Sequence, residues 1–351
     1  MSVQAIVGGD AADETFAETR AALLGGAGAA REAAALGRAL APSIDRVYFV
    51  ACGAPNRTML MLEYWIGRLS PSLEVRRFFP AEFLSQDPAR FDARTLVVMG
   101  SKSGTTRETV ETAEFLAGTD AVTVGFTTTA DRPLARAVRH PILTGEAERD
   151  IVGLPHASLG LAMLGLLGGL LAARDGWPHG EALLSSIEAF PAVAGRIKAE
   201  HAGRAARDAR ALAGDSVIYH LASGPMFCTA YVFGVCTLME MQRLNSTPLE
   251  AAEFFHGPFE VLDEDVPVFL LLGEDPSRPI MERAKAFCER YGRRLFIYDS
   301  RDLEMEGVDA AARALLAPYA IGVALDCVGE EIARLRDHPL ETRRYMGVVD
   351  Y

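Results

Sequence analysis

Short runs of apolar residues recur along the first half of the chain and are bounded by turn-forming residues. They occupy residues 46–53, 95–100, 121–128 and 140–144, and residues 75–83 (VRRFFPAEF) suggest a further short strand followed by a turn. Continuous apolar runs of this length are typical of strands that are buried on both faces of a parallel sheet. Segments with helical spacing separate them, including residues 59–69 and a short stretch around Pro133. This β-α-β order predicts an open parallel sheet with helices on both faces.

The second half of the chain repeats the order of the first. The stretch SVIYHLASGP at 216–225 lies 170 residues after RVYFVACGAP at 46–55, and a helix is predicted after each of them. Residues 266–275 and 293–300 then take the places of the third and fourth strands. The simplest explanation is a duplicated α/β unit within one chain, and a length of 351 residues agrees with two such units.

This repeat predicts a division into three parts. They are an N-terminal helical segment at 1–40, a first α/β subdomain with its connecting helices at 41–195, and a second subdomain with a C-terminal tail at 196–351. Within them, helices are predicted over 11–40, 157–212 and 229–244.

Residues 157–173 (ASLGLAMLGLLGGLLAA) are uncharged and almost long enough to cross a membrane. The segment contains four glycines, is bounded by His156 and Arg174, and has no second such span beside it. We therefore expect a helix in the core or at a subunit interface, and no membrane association.

The charge balance limits the kinds of partner that the protein is expected to bind. The chain has 35 Lys and Arg against 47 Asp and Glu, a net charge of −12, which argues against binding to DNA or RNA. Only three of the basic residues are lysines, namely Lys102, Lys198 and Lys285. Five scattered cysteines without a CxxC pair, and an N-terminus without signal-peptide features, predict a reduced, cytoplasmic protein.

The loop Ser101-Lys102-Ser103-Gly104-Thr105-Thr106 follows a predicted buried strand and precedes a helix that starts near Arg107. Free N–H groups at a helix N-terminus attract a phosphate, and Gly104 permits close approach of the backbone. The hydroxyl groups of the loop add donors without adding charge. The loop lies at the carboxyl end of a strand, where open α/β sheets bind ligands.

A plain structural role would also explain part of this loop. Thr105 or Thr106 would cap the helix, with Glu108 near the third helical position as in a capping box. Capping needs only one hydroxyl, however, whereas the loop offers four within six residues. Neither GxxxxGK[ST] nor GxGxxG is present, which argues against an NTPase and against a dinucleotide site.

Glu240 and His256 are the second pair of candidate functional residues. Glu240 lies in an apolar helix between two methionines, and His256 lies in the sequence FFHGPFE. Burial would raise the pKa of such a carboxyl toward neutrality, as a general acid or base requires, and a histidine titrates near that range already. From the residues alone, Glu240 could equally be a surface residue of an amphipathic helix and His256 a turn histidine.

The stretch VVMGSKSGTTRETVE at 97–111 resembles the signature of the sugar isomerase (SIS) domain. The duplicated unit is similar to the tandem SIS subdomains in the isomerase half of glucosamine-6-phosphate synthase. The resemblance implies two three-layer αβα subdomains. By this resemblance, the sugar phosphate is held by the following loop residues: Ser101, Lys102, Ser103 and Thr106. The first-strand turn departs from the family because CGAPN lacks its hydroxyl residues, so Gly53, Asn56 and Arg57 are weaker candidates for substrate binding.

The segment around His256 also resembles catalytic sequence of this family, in which a helix glutamate precedes an HGP histidine by 16 residues, as Glu240 precedes His256. AEFFHGPFE and the chain end at 338–351 are closer to the fructosamine-6-phosphate deglycases. That resemblance implies that Glu240 and His256 are the catalytic acid and base. It also implies a homodimer in which the histidine enters the active site of the neighbouring subunit. Glu253 is a weaker candidate for contacts to sugar hydroxyls.

The same resemblance implies deglycation of a fructosamine 6-phosphate to glucose 6-phosphate and an amine, and we expect no metal or other cofactor. No lysine follows Lys285, which disfavours an isomerase that forms a lysine Schiff base. Two alternatives remain open. One is aldose–ketose isomerisation or amino-sugar-phosphate deamination in the same pocket, and the other is a phosphosugar sensor without catalytic activity.

Overall fold

The computed structural model of the protein describes residues 9–86, 92–145, 155–212 and 214–349. The strands are β1 (Arg46–Ala51), β2 (Glu74–Phe78), β3 (Thr95–Gly100), β4 (Val122–Thr127), β5 (His140–Leu143), β6 (Val217–Ala222), β7 (Asn245–Glu250), β8 (Pro267–Leu272) and β9 (Arg294–Asp299). The helices are α1 (Gly9–Leu40), α2 (Gly53–Leu69), α3 (Pro80–Gln86), α4 (Arg107–Ala117), α5 (Pro133–Ala137), α6 (Pro155–Asp175), α7 (Gly180–Ala211), α8 (Phe227–Tyr231), α9 (Arg278–Tyr291) and α10 (Ala310–Leu335). Helix α8 continues as a π-helix over Val232–Met241, and short 3₁₀ turns cover Gly224–Met226, Phe254–His256, Pro258–Val261 and Ser300–Asp302.

The strands form two parallel sheets with matching topology. The first has the order β2-β1-β3-β4-β5 and the second the order β7-β6-β8-β9. The first four positions therefore correspond one to one, with β6 in the place of β1 and β8 in the place of β3. This confirms the duplicated α/β unit that was predicted from the repeat, including the assignments of 266–275 and 293–300.

Each sheet is covered by helices on both faces. Val47 and Phe49 of β1 face a large core that α1, α2, α6, α7 and α10 share with both sheets. Tyr48 and Val50, which point the other way, pack against α3, α4 and α5. Helix α9 covers the outer face of the second sheet. The predicted three-layer αβα architecture is thus confirmed, with one hydrophobic core between the sheets.

Most predicted elements have the expected type, and three points of the prediction need comment. The N-terminal helical segment is one helix as far as it is described, since residues 1–8 lie outside the described residues. Strand β7 was not predicted, because NSTPLE contains a proline and polar residues, which an edge strand tolerates. The predicted boundary between the two subdomains, at residues 195 and 196, lies inside the continuous helix α7. The domain boundaries stay a prediction.

Helix α6 packs against α1 at backbone-to-backbone distance. A Cβ atom on Gly165 would lie 2.2 Å from the carbonyl oxygen of Ala30, and one on Gly169 would lie 2.1 Å from that of Ala34. Glycine is required at both positions because a neighbouring helix backbone occupies the space of a side chain. The uncharged segment 157–173 is therefore a core helix, as we expected from its glycines.

Among the described residues, three helical segments are long and apolar enough to cross a membrane by length and composition, so the expectation that residues 157–173 have no second such span was wrong. They are Ala157–Asp175, Gly224–Met241 and Ala310–Leu335, and 83%, 61% and 72% of their respective apolar windows are buried within the protein. Their apolar surface is thus largely used in packing against the rest of the chain.

Gly169→Ala tests the close contact between α1 and α6. We expect it to lower the free energy of unfolding by about 1–3 kcal/mol, because the new methyl group meets a backbone oxygen that cannot move alone. Gly168→Ala in the same helix is the matched control, since its Cβ would meet only Leu183 Cδ2, at 3.2 Å. The control gains up to about 1 kcal/mol from helix propensity. Thermal unfolding compares the two variants, and equal midpoints would contradict the contact.

Candidate active site

The hydroxyl groups of the loop between β3 and α4 form one cluster. Ser101 Oγ lies 2.8 Å from Thr106 Oγ1 and accepts a hydrogen bond from the Gly104 N–H at 3.1 Å. Ser103 Oγ accepts hydrogen bonds from the N–H of Thr105 at 3.2 Å and from its hydroxyl at 2.9 Å. Ser101 is buried at the base of the loop, whereas Ser103 and Thr105 are exposed. The loop is thus pre-organised, with exposed hydroxyls at its rim.

Gly104 has the left-handed backbone conformation that this turn needs. Its φ is +63°, and a Cβ there would lie 2.4 Å from Arg132 Cβ and 2.7 Å from Thr127 Oγ1. The Thr127 hydroxyl donates to the carbonyl oxygen of Lys102, which ties the loop to the neighbouring strand β4. Both the conformation and the close approach therefore require glycine.

Thr106 occupies the N-cap position of α4, as the capping interpretation predicted, but its side chain makes no capping hydrogen bond. Its hydroxyl is directed to Ser101 instead. Glu108 is the second residue of the helix, not the third, so the proposed capping box does not form. The hydroxyl cluster is therefore not explained by helix capping.

The turn after β1 lies next to this loop. Cys52 precedes α2, and its pKa is raised by burial and by the charge of Glu108, while a hydrogen bond to Thr109 lowers it. Gly53 is exposed, with a φ of +57° and open space where a Cβ would be. The N-termini of α2 and α4 thus lie side by side at the carboxyl edge of the first sheet.

Asn56 is completely buried, and its side-chain amide is hydrogen-bonded within the protein. Its amide nitrogen donates to the carbonyl oxygens of Ala51 and Phe78, each at 2.9 Å, and its amide oxygen accepts from Arg77 at 2.6 Å. These bonds tie the ends of β1 and β2 together. We therefore leave Asn56 out of the substrate contacts proposed below.

Arg57, the next residue of α2, points toward the second half of the chain. Its guanidinium carbon lies 4.0 Å from the ring centroid of Tyr231 and 5.4 Å from that of Phe79. Its Nε is buried and makes no hydrogen bond. Arg57 therefore links the crevice of the first sheet to α8 and the π-helix.

Glu240 lies in that π-helix and is paired with a residue of the C-terminal tail. Its Oε1 is 3.0 Å from Nε of Arg343, and both side chains are largely buried. The pKa of the nearby Cys236 thiol is raised to about 12, first by burial and then by Glu240, whereas Arg343 and Arg57 lower it. The charges of Glu240, Arg343 and Arg57 therefore all act on the Cys236 thiol. Arg343 was missed in the sequence, where it is one of two arginines in an exposed-looking tail.

His256 and Glu253 lie on the surface of the chain. Both side chains are exposed, at the 3₁₀ turn Phe254–His256 that follows β7. Gly257, with a φ of +137°, ends this turn and directs the chain into Pro258. His256 is thus presented outward, while Glu240 lies partly buried under the tail.

The corresponding crevice of the second sheet has a different chemistry. Glu250 at the end of β7 is half-buried, and burial raises its pKa to about 7. Asp275, after β8, accepts a hydrogen bond from the Ser277 N–H at 2.9 Å. Burial and the charge of Asp275 raise the pKa of Tyr64 from α2 to about 12. Carboxylates thus stand where the first crevice has hydroxyls, which is unfavourable for a phosphate.

A small pocket lies between α2, α8, α10 and the π-helix. Thr58, Cys228 and Tyr319 contribute to its mostly apolar wall. Burial holds the pKa of Asp326, also on that wall, well above its usual range. With no arginine or lysine among the residues that line it, this cavity is poorly suited to a sugar phosphate.

Similarity to known proteins decides the family. A model of the SIS domain matches residues 42–172. The fructosamine deglycase FrlB of Bacillus subtilis is 33% identical over 309 residues, which cover 88% of this chain and 93% of that protein. The chain belongs to the SIS-domain family. This confirms the family that the loop signature at 97–111 predicted.

Other proteins that are similar to this chain support the same family. Fructoselysine 6-phosphate deglycase of Escherichia coli O157:H7 is 29% identical over 88% of this chain and 87% of that protein. A crystal structure from Bacillus subtilis that bears the name phosphosugar isomerase has a TM-score of 0.85 and 31% identity over 93% of this chain and 99% of that one. The glutamine–fructose-6-phosphate aminotransferase of Mycolicibacterium smegmatis is 26% identical over 69% of this chain, which spans 38% of that protein. Both resemblances stated from the sequence are therefore confirmed.

Gly104→Ala tests the geometry of the SIS-domain loop. Gly176 is the matched control, because it also has a positive φ, of +68°, but has open space for a Cβ. We expect Gly104→Ala to lower the free energy of unfolding by about 1–3 kcal/mol more than Gly176→Ala, through the clash with Arg132. Thermal unfolding with and without inorganic phosphate measures both effects. Only Gly104→Ala should also reduce the stabilisation by phosphate. If phosphate stabilises both variants equally, the loop at 101–106 is not the phosphate site.

Proposed function

We propose that the protein is a deglycase, an enzyme that converts a 6-phosphorylated fructosamine and water into glucose 6-phosphate and a free amine. The observation that carries this proposal is the similarity to the fructosamine deglycase of Bacillus subtilis along 88% of the chain. The ion pair of Glu240 with Arg343 and the hydroxyl cluster of the loop after β3 support it. The reaction needs a base for carbon-bound protons and an anchor for a phosphate, and these two features supply them.

The substrate phosphate binds at the loop after β3. The hydroxyls of Ser101, Ser103 and Thr106, together with the N-terminus of α4, donate to its oxygens, and Lys102 adds a positive charge. Gly53 lies at the neighbouring helix N-terminus, where the sugar chain passes. An acidic protein can hold the anion here because the donors are local and mostly uncharged.

Glu240 takes a proton from C1 of the open-chain substrate, while His256 gives a proton to the C2 oxygen. The product is an enaminol, in which C1 and C2 share a double bond and the nitrogen stays on C1. Reprotonation at C2 shifts the electron pair of the nitrogen to form a C1 imine. Water then adds to the imine, and the amine leaves. The ion pair with Arg343 holds the Glu240 carboxylate in place for this proton transfer.

The proposed assembly is a cytoplasmic homodimer with shared active sites, and neither a nucleic acid nor a membrane is a partner. His256 is exposed on its own chain and stands ahead of a glycine–proline turn, so it is available to a neighbouring active site. Glu253 lies on the same turn and would accompany it, in contact with sugar hydroxyls.

Glu240→Gln and His256→Ala test the catalytic pair. We expect each to lower kcat about 10²- to 10⁴-fold with a 6-phosphofructosyl amino acid, because each removes a proton-transfer group. Glu260→Gln, at an exposed position on the following 3₁₀ turn, is the matched control and should keep full activity. The assay follows release of glucose 6-phosphate and of free amine. Near-full activity of either catalytic variant would refute its role, and isomer formation without amine release would refute deglycation.

A mixed dimer tests whether the active sites are shared. One subunit carries Glu240→Gln and the other His256→Ala. If His256 acts across the interface, one of the two sites is complete, and the mixed dimer should have about half of the wild-type activity. If both residues act within one subunit, neither site is complete and the mixed dimer stays inactive. Differently tagged subunits, co-expressed and purified over both tags, allow this measurement.

A further inference from the structure

The turn that carries His256 is packed against helix α9 by aromatic rings. The turn segment supplies three of them, Phe254, Phe255 and Phe259, and α9 supplies Phe287. The ring centroid of Phe287 lies between 5.4 and 6.0 Å from each of the three turn rings, and every one of these contacts is edge-to-face. Aromatic pairs are stabilising over centroid distances of about 4.5–7 Å in this arrangement. One ring of α9 therefore contacts all three phenylalanines of the turn.

Phe255, the residue before His256, has a second contact with α9. The guanidinium carbon of Arg283 lies 4.1 Å from its ring centroid, where a cation is attracted to the face of the ring. Arg283 and Phe287 are four residues apart, so the two contacts come from one face of the helix. Helix α9 is itself packed on the second sheet. The position of the turn is therefore set by a helix that belongs to the core of the second copy.

His256 depends on this packing because its imidazole is exposed. Its backbone N–H donates to the carbonyl oxygen of Glu253 at 2.9 Å, and Gly257 follows it with a positive φ. The direction of the imidazole is thus set by the backbone of the 3₁₀ turn, which is held through the flanking phenylalanines. A displacement of about 1 Å at a reacting group can lower a rate about 10²-fold. An exposed proton donor therefore needs a fixed turn beneath it.

We propose that Phe287 is a positioning residue for His256. Its ring holds the 3₁₀ turn where the imidazole can reach the substrate, and Phe287 itself does not touch the substrate. This inference rests on the proposed deglycase function and on the role of His256 in it. It predicts an effect on kcat and not on KM, because the proposed contacts to the phosphate lie in the first copy.

Phe287→Leu removes the ring but keeps an apolar side chain. With a 6-phosphofructosyl amino acid, we expect it to lower kcat about 10- to 100-fold and to leave KM unchanged, because the turn shifts while the loop at 101–106 is intact. Phe287→Tyr keeps the ring and should restore kcat to near the wild-type value. Wild-type kcat in Phe287→Leu, or a higher KM without a change in kcat, would overturn the proposal.

Tyr291→Leu is the matched control on the same helix. Tyr291 is exposed and packs on Phe287, but within the described residues its ring contacts none of the three turn rings. This variant should keep the wild-type kcat. Phe287→Met, with another large apolar side chain, replaces Phe287→Leu if the latter does not fold.

A second background separates positioning from a general loss of stability. Phe287→Leu is combined with His256→Ala, and the residual rate is compared with that of His256→Ala alone. If the ring acts through His256, it has no effect once the imidazole is absent, so the two residual rates should be equal. The same fold-loss in both backgrounds would contradict the positioning role, because it would not depend on His256.

Failure of the deglycase function is recognised separately, since the wild-type protein then releases no glucose 6-phosphate. Amide hydrogen exchange over residues 253–262 still measures the turn, without any turnover. The N–H groups of His256, Glu260 and Leu262 donate to carbonyl oxygens within this segment. We expect Phe287→Leu to speed their exchange about 10-fold, because the turn opens more readily, and Tyr291→Leu to leave it unchanged. Exchange at the wild-type rate in Phe287→Leu would show that the ring does not hold the turn and would overturn the proposal.

Discussion

The backbone contact between α1 and α6 determines where the functional loop can lie. Glycines at 165 and 169 leave room for the carbonyl groups of α1, so the two helices fill the shared core together. On its other side α6 supports the first sheet. A Cβ at Gly100 would lie 2.7 Å from Cε of Met163, and Gly100 is the last residue of β3. The hydroxyl loop at residues 101–106, the proposed phosphate site, starts at the next residue and therefore rests on this helix pair.

The two copies of the α/β unit have kept the same topology but have diverged in chemistry. At the end of β3 the first copy has hydroxyls, whereas the equivalent end of β8 has the buried Asp275. The proton-transfer candidate Glu240 comes from the second copy, and the loop proposed to hold the phosphate comes from the first. Two residues of α2 contact the second copy. Arg57 packs on Tyr231 of α8, and Tyr64 interacts with Asp275 after β8. The proposed site therefore needs both copies, one for binding and one for proton transfer.

The sequence predicted what depends on local pattern and missed what depends on distant contacts. Buried strands such as β3 are continuous apolar runs, and the repeat placed β6, β8 and β9. The edge strand β7 carries no such run. The ion pair between Glu240 and Arg343 joins positions 103 residues apart, and no spacing rule indicates it. Asn56 looked available beside a loop, because its hydrogen bonds to the ends of β1 and β2 exist only in the folded sheet.

The positions of the lysines limit the chemistry of the site. Lys198 is bonded to Glu330 and Lys285 to Glu289, each at 2.7 Å, so both are used in ion pairs on helices. Lys102 lies in the loop that is proposed to hold the phosphate. The printed ion-pair partner of Glu240 is an arginine, Arg343, which stays protonated and cannot form a Schiff base with a sugar carbonyl. Of the three lysine amines, only that of Lys102 belongs to the proposed site, where it is used at the phosphate. The nitrogen of the C1 imine must then come from the substrate, and this is what distinguishes deglycation from an isomerisation through an enzyme-bound imine.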